Sequence, residues 1–192
     1  MDGTTDITRT YPLGPLTEDE KRFYTWTLQS HIDLAKAVWL DYCECKMIDT
    51  IAREPLWRHL INYRCGTGPS VSFVGNVHEG PHALNGRNTT LMRPGMIVTD
   101  EPGVYETDLV GIRIENELVC VHKADNQYGT FLGFEPLMFV PIATSPILPG
   151  VLDKDEIAWL NDYHRQVFAK LAPHLNDEER SWLAEKCAAI GC

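Results

Sequence analysis

The chain has 192 residues, of which 44% are hydrophobic and 23% are charged, a balance typical of a soluble globular protein with one substantial core. Its formal net charge of −10 argues against a nucleic-acid partner, because a phosphate-binding surface needs clustered Lys and Arg. No apolar run approaches the roughly 20 residues that cross a bilayer, so no membrane partner is expected.

The opening segment MDGTTDITRT has neither the basic patch nor the apolar core of a signal peptide, which predicts a cytoplasmic protein. The six cysteines have no repeated spacing. Cys43-x-Cys45 lacks a matching second pair, so we do not expect a zinc site. Reduced thiols are the expectation for this compartment.

Residues 4–10 are rich in β-branched side chains and predict a strand that begins almost at the first residue. Domains seldom start in the middle of a sheet, so we expect a neighbouring strand upstream to be missing. The strand would then be an unpaired edge, and such edges recruit partners.

Two helices are predicted next. Thr17 followed by Glu20 matches a capping box and begins a long helical pattern. The apolar face of this helix is predicted to consist of Phe23, Trp26, Ile32, Leu34, Ala37 and Val38. A second helix is predicted over residues 47–60, kinked or shortened by Pro55.

From residue 71 the periodicity changes to that of strands. Four segments, SVSFVGNV, GMIVTDEPGVYE, VGIRIENELVCVHK and GTFLGFEPLMFV, are separated by Gly, Pro and Asn turns. The tail returns to helical spacing, with a last short helix over residues 177–189. No linker or repeat interrupts the chain, so residues 1–192 are predicted to form one α+β domain with helices backing a curved antiparallel sheet.

Three carboxylates, Asp6, Glu101 and Glu115, lie within the strand-like segments. A carboxylate inside a mostly apolar sheet needs a partner, because unpaired buried charge is costly. One solution is a hard divalent cation such as Mn²⁺ or Mg²⁺. Exposure, or pairing with Arg113 and Lys123, is the other interpretation, and spacing alone favours it.

The motifs DGTTDITRT, NVHEGP, MIVTDEPGVYE, GIRIENELV and GFEPLMFVPI, in this order, resemble the cytosolic Xaa-Pro aminopeptidases (aminopeptidase P). These enzymes belong to the pita-bread metallopeptidases of family M24. The resemblance runs over essentially the whole chain. It implies a partial pita-bread fold, and it makes residues 151–192 similar to the helical C-terminal extension of that subgroup.

In that family two metal ions, commonly Mn²⁺, share a water that attacks the peptide bond before proline, and two Asp, one His and two Glu hold them. The resemblance matches Asp6 to the second aspartate, Glu101 to the first glutamate and Glu115 to the bridging glutamate. His78 matches a histidine beside the substrate. Arg113 matches an arginine just outside the ligands, where such neighbours orient them.

The stretch CGTGPSVSFVGNVHEGP, residues 65–81, departs from the family pattern HGTGHGVGSFLNVHEGP. Pro69 takes the position of the metal-binding histidine, and Cys65 takes that of a substrate-side histidine. Two family glycines become Ser70 and Ser72. The family's first aspartate belongs to a strand upstream of residue 1, so the resemblance implies an N-terminally truncated chain that lacks two of five metal ligands.

Three hypotheses follow. The favoured one is a pseudoenzyme or truncated form with little or no peptidase activity, holding no metal or one weakly bound divalent cation, and able to bind proline-containing peptides. The second is an active manganese-type enzyme completed by missing sequence or a partner chain, against which Pro69 argues. The third is an interaction protein that forms a homodimer or associates with an intact relative.

Cys65 and His78 raise one further alternative, a thiol hydrolase with His78 as its base. A passive thiol at position 65 is the favoured interpretation.

Overall fold

A computed structural model describes residues 3–191. The elements in that part of the chain are α1 (Glu18–Ala35), β1 (Val38–Leu40), α2 (Cys45–Trp57), β2 (Gly68–Val71), β3 (His78–Leu84), β4 (Ile97–Asp100), β5 (Gly103–Glu106), β6 (Val110–Arg113), β7 (Asn116–Asn126), β8 (Gly129–Pro136), α3 (Lys154–Leu171), a 3₁₀ turn (Ala172–His174) and α4 (Asp177–Lys186). Separate helical and antiparallel-strand regions confirm the α+β class.

The strands form two sheets. Six of them pair in the order β1-β8-β7-β4-β2-β3, and β5 pairs with β6. Every strand pairing is antiparallel. One apolar cluster joins the larger sheet to α2 and the end of α1, and a second joins α1 to β6, α3 and α4. The helices therefore cover the sheets as predicted.

The helix starts follow the sequence signals. Thr17, Asp153 and Asn176 each form a complete capping box, which satisfies N–H groups at the start of α1, α3 and α4. The second helix starts earlier than predicted and ends at Trp57, with the buried Pro55 inside its last turn. Among residues 3–191, no helix is both long and apolar enough to cross a membrane.

The assignment of Ala37 and Val38 to the face of the first helix is wrong. That helix ends at Ala35, and its last carbonyls accept the N–H of Lys36. Val38 begins β1, pairs with Gly133 of β8, and is 55% exposed. Ala37 and Val38 lie just past the end of the helix, and their apolar side chains continued the helical spacing by chance.

The predicted strand over residues 4–10 is also wrong as a regular element. Its one bridge joins Thr8 to Glu115. Side chains hold most of the segment instead, since Thr4 Oγ1 donates to the Ser72 carbonyl at 2.5 Å and Thr10 Oγ1 donates to the Arg113 carbonyl at 2.8 Å. The β-branched composition correctly indicated an extended backbone. It could not show that this segment lacks the regular hydrogen-bond ladder of a strand.

The segment SVSFVGNV is a strand only at its start. β2 ends at Val71, and residues 72–77 form a loop with exposed apolar side chains at Phe73, Val74 and Val77. Gly75 has a φ of 111°, a value that favours glycine and interrupts the strand pattern.

Candidate active site

The three predicted carboxylates come from three separate parts of the chain. Asp6 lies in the N-terminal extended segment, Glu101 directly follows β4, and Glu115 joins β6 to β7. Backbone bonds fix two of them, from Glu101 N to the Thr67 carbonyl at 2.8 Å and from Glu115 N to the Thr8 carbonyl at 3.0 Å. The charge of Asp6 raises the pKa of both glutamates, so the three carboxylates lie near enough to interact without forming a group that could hold a metal ion.

Glu115 is the most buried of the three, at 3% exposure. Burial raises its pKa to about 7, and the neighbouring charges of Glu101 and Asp6 act in the same direction. The hydroxyl of Thr8 donates to Glu115 Oε2, which opposes the shift. The Thr8 hydroxyl therefore occupies one carboxylate oxygen of Glu115, the residue predicted to bridge the two metals.

Glu101 is paired with Arg113. The Arg113 guanidinium forms an ion pair with Glu101 Oε2, and Thr99 Oγ1 donates to Glu101 Oε1 at 3.0 Å. Tyr105 holds the arginine, because Arg113 Nε donates to its hydroxyl at 2.8 Å. Burial raises the pKa of Glu101 while the arginine opposes this shift. Arg113 thus neutralises a carboxylate directly.

Asp6 and His78 lie side by side, with 3.6 Å between His78 Nε2 and Asp6 Oδ2. The Cys65 thiol faces elsewhere, toward the Gly103 carbonyl at 3.6 Å. The two residues of the thiol-hydrolase alternative therefore contact different partners. Cys65 is half-buried, as a passive thiol would be.

Glu117 is a fourth carboxylate that the sequence reasoning missed. It is 4% exposed, and its Oε1 accepts the backbone N–H of Asp6 at 2.6 Å. Burial raises its pKa, with the charge of Asp6 adding to the effect. The signal was available, because residues two apart in a strand share a face and Glu117 follows Glu115 by two.

A buried polar chain next to the carboxylates was also missed. His31 of α1 and Asp100 of β4 are both fully buried, with 3.0 Å between Nδ1 and Oδ2. Asn116 connects them to Arg9, lying 3.3 Å from His31 Nε2 and accepting from Arg9 Nη2 at 2.8 Å. Burial raises the pKa of Asp100 to about 6, and His31 opposes this shift. An isolated histidine on an apolar helix face carries no sequence signal for such a partner.

Pro69 lies in β2, paired with Ala83 of β3. Its ring has no lone pair to offer a metal, and its nitrogen has no hydrogen to donate. Gly68 before it is fixed by close packing, since a side chain there would overlap the Thr99 carbonyl. The predicted metal-histidine position therefore lies within the sheet, next to a shift in the β2–β3 register between Pro69 and Val71.

The residues present do not fit a two-metal centre. Two metals would need donors that converge on shared positions about 3.5–4 Å apart. Here Arg113, Thr8 and His78 each contact a carboxylate, and Pro69 supplies no donor. Within residues 3–191, no three His, Cys, Asp or Glu side chains are grouped so that they could hold a metal ion.

Comparison with protein-family models identifies the class to which this fold belongs. The family model for Metallopeptidase family M24 matches residues 1–122, and the model for the C-terminal region of peptidase_M24 matches residues 130–190. The chain belongs to metallopeptidase family M24.

Within this family its relatives are aminopeptidases P, which confirms the resemblance predicted from the motifs. The chain is 41% identical over 198 residues to Aminopeptidase P1 of Lotus japonicus, covering 100% of this chain and 30% of that protein. It is 43% identical over 190 residues to Aminopeptidase P2 of Arabidopsis thaliana, covering 95% of this chain and 27% of that protein. The chain thus spans about 30% of the length of the curated relatives it matches.

Solved structures agree with this assignment. The crystal structure of X-prolyl aminopeptidase from Caenorhabditis elegans, described as a cytosolic enzyme with a di-nuclear active site, superposes with a TM-score of 0.92 at 37% identity, covering 98% of this chain and 32% of that one. Prolidase from Pyrococcus furiosus superposes with a TM-score of 0.58 at 27% identity over 69% of this chain and 36% of that one. The partial pita-bread fold is therefore confirmed.

Proposed function

We propose that this chain is an aminopeptidase P-like pseudoenzyme with little or no peptidase activity. The observation that carries the proposal is Pro69 in β2, at the position matched to the family's metal-binding histidine. A proline there removes a nitrogen ligand outright. Changes merely beside metal ligands cost roughly 10–100-fold in affinity or activity, and loss of a ligand is more severe.

The arrangement of the carboxylates supports the same proposal. Arg113 neutralises Glu101, the Thr8 hydroxyl bonds Glu115, and an N–H bonds Glu117. Carboxylates with such partners do not depend on a cation for their stability in the fold. We expect no bound metal, or one weakly bound divalent cation held by Asp6, Glu101 and Glu115.

The test combines metal content with turnover. Purified chain is incubated with Mn²⁺, Co²⁺ or Zn²⁺, freed of loose metal, analysed for bound ions, and assayed on an Xaa-Pro peptide. We expect fewer than one ion per chain and no cleavage above the protein-free rate. Two ions per chain with turnover would overturn the proposal that the chain is a pseudoenzyme.

Peptide binding without cleavage is the activity that such a chain could keep. His78 is half-exposed beside Asp6 and is available to a ligand. We therefore propose retained affinity for proline-containing peptides, and a cytoplasmic location like that stated for the C. elegans enzyme. Titration of a labelled, uncleaved Xaa-Pro peptide against the chain and a His78→Ala variant measures this binding.

Self-association is a further part of the proposal. β3 is the edge of the six-stranded sheet, pairs only with β2 among the described strands, and has four exposed residues at its start. An exposed edge can pair with another chain, most simply as a dimer or with an intact relative. A single monomeric species in sedimentation velocity at micromolar concentration would remove this idea.

A further inference from the structure

We infer that a cationic groove lined by none of the candidate carboxylates binds an acidic peptide segment of a partner protein. The groove has a volume of about 830 Å³. One face of α2, the loop of residues 62–66 and the turn of residues 85–87 form its walls. Its charged lining consists of Lys46, Asp49, Arg53, Arg64 and Arg87.

The single carboxylate of this lining is already neutralised. Asp49 is 1% exposed and accepts from Arg53 Nε at 2.8 Å. Arg53 also donates to the carbonyls of Tyr63 and Cys65 at 3.0 and 3.1 Å, and its guanidinium lies 4.2 Å from the centre of the Tyr63 ring. Together these contacts make a rigid wall that contributes almost no net charge.

Two arginines supply the unpaired charge of the cationic groove. Arg64 and Arg87 are both exposed, and in the described part of the chain neither side chain forms an ion pair or a hydrogen bond. Most other arginines are paired, as Arg22 is with Asp19 and Arg165 with Asp162. Two free guanidiniums on one concave surface offer bidentate sites for carboxylates.

The cationic groove also has an apolar component. Trp57 is 43% exposed, and its indole N–H is fixed by Asn62 Oδ1 at 3.1 Å. Met47, which also lines the groove, is 50% exposed. Exposed Trp, Met and Arg are the residue types enriched where proteins bind other proteins. The expected ligand therefore carries carboxylates flanking an apolar or aromatic side chain.

The charge distribution of the molecule favours a short acidic peptide over a nucleic acid as the ligand of the groove. The chain as a whole carries a net charge of −10, so a long polyanion leaving the groove would meet a repelling surface. A short peptide places its few carboxylates only within the groove. The positive groove on an acidic molecule therefore favours a compact acidic ligand.

The test uses a fluorescein-labelled decapeptide of alternating Glu and Phe, titrated by anisotropy at low and physiological salt. An equally labelled single-stranded decanucleotide and a decapeptide of alternating Gln and Phe are run in parallel. We expect saturable binding of the Glu peptide only, weakened about tenfold or more by the double change Arg64→Glu and Arg87→Glu. The matched control, Arg165→Glu on α3, should bind like the unmodified chain.

Three binding results would overturn the inference, and one sedimentation result would do so as well. The binding results are no saturable binding of the Glu peptide, an equal loss in Arg165→Glu, or tighter binding of the oligonucleotide. Circular dichroism shows whether the double variant is folded. A second double variant, Arg64→Gln with Arg87→Gln, removes the two positive charges without introducing negative ones. If the unmodified chain self-associates in sedimentation and the Arg-to-Gln variant does not, the groove is occupied by a second copy and not by an acidic peptide.

Discussion

Internal partners distinguish the carboxylates of this site from those of a metal centre. Glu101 has an arginine, Glu115 a threonine hydroxyl and Glu117 a backbone N–H. The family resemblance implied that Asp6, Glu101 and Glu115 share one site. It could not indicate these partners, because each comes from a segment distant in the chain and only the fold brings them into contact.

Gly68, the residue before Pro69, sets how closely β2 approaches β4. A methyl group there would overlap the Thr99 carbonyl, which is backbone and cannot move aside. We expect Gly68→Ala to lower the free energy of unfolding by about 3 kcal/mol or more. Urea denaturation measures this. Gly66→Ala is the matched control, since nothing lies within 4 Å of its added carbon. Equal effects of the two changes would contradict the packing described.

His164 gives stability a specific pH dependence. It is fully buried, and its Nε2 accepts the N–H of Ile142 at 3.1 Å. Burial lowers its pKa to about 4, and the charge of Arg9 acts in the same direction. Between pH 6.5 and 4 the unfolded chain binds a proton that the folded chain does not, so this residue destabilises the fold as pH falls, by roughly 3 kcal/mol at most.

The raised pKa values of Asp100 and Glu115 act in the opposite direction over part of that range. His164→Gln isolates the histidine, because its amide oxygen can accept the same N–H without titrating. We expect the difference in unfolding free energy between the two proteins to shift in favour of the variant as pH falls from 6.5 to 4. A difference that stays constant would show that the pKa of His164 is the same in the folded and unfolded chain, which would contradict the lowered pKa.

At the scale of elements, helices were the most predictable part. The capping boxes that begin with Thr17, Asp153 and Asn176 each lie within four residues of sequence. Such a local pattern can be recognised without knowledge of the tertiary structure. The N-terminal segment failed as a strand because its bonding partners are 68 to 111 residues away. β1, three residues long, was missed because it is too short for a period.

Arg9 connects that segment to the rest of the molecule. Its guanidinium donates to the carbonyls of Glu115 at 2.6 Å and Val140 at 2.8 Å, and to the Tyr163 hydroxyl of α3 at 2.9 Å. We expect Arg9→Lys to cost about 3 kcal/mol, because one ammonium cannot reach all these acceptors. Arg22→Lys, which keeps an exposed i,i+3 pair with Asp19, should cost less than about 0.5 kcal/mol in the same urea titration. Similar costs would contradict the role of Arg9.

At the scale of the whole molecule, the fold and the family could be predicted from the sequence, because family motifs occur in order over the entire chain. The TM-score of 0.92 to a dinuclear X-prolyl aminopeptidase coexists with a site whose donors do not converge. Backbone shape follows from the many core residues, whereas metal binding depends on a few. The proposed loss of metal binding rests on a few such positions, Pro69 first among them, while the architecture is shared with the relatives.

Titration with Mn²⁺ by calorimetry tests this account most directly. The unmodified chain should bind no ion, or one ion weakly. Pro69→His should strengthen binding of a single ion by about tenfold or more, because it restores a nitrogen donor. Pro94→His, which adds an imidazole at an exposed position, should leave binding unchanged. Tight binding of two ions by the unmodified chain, or no gain in Pro69→His while it remains folded, would contradict the account.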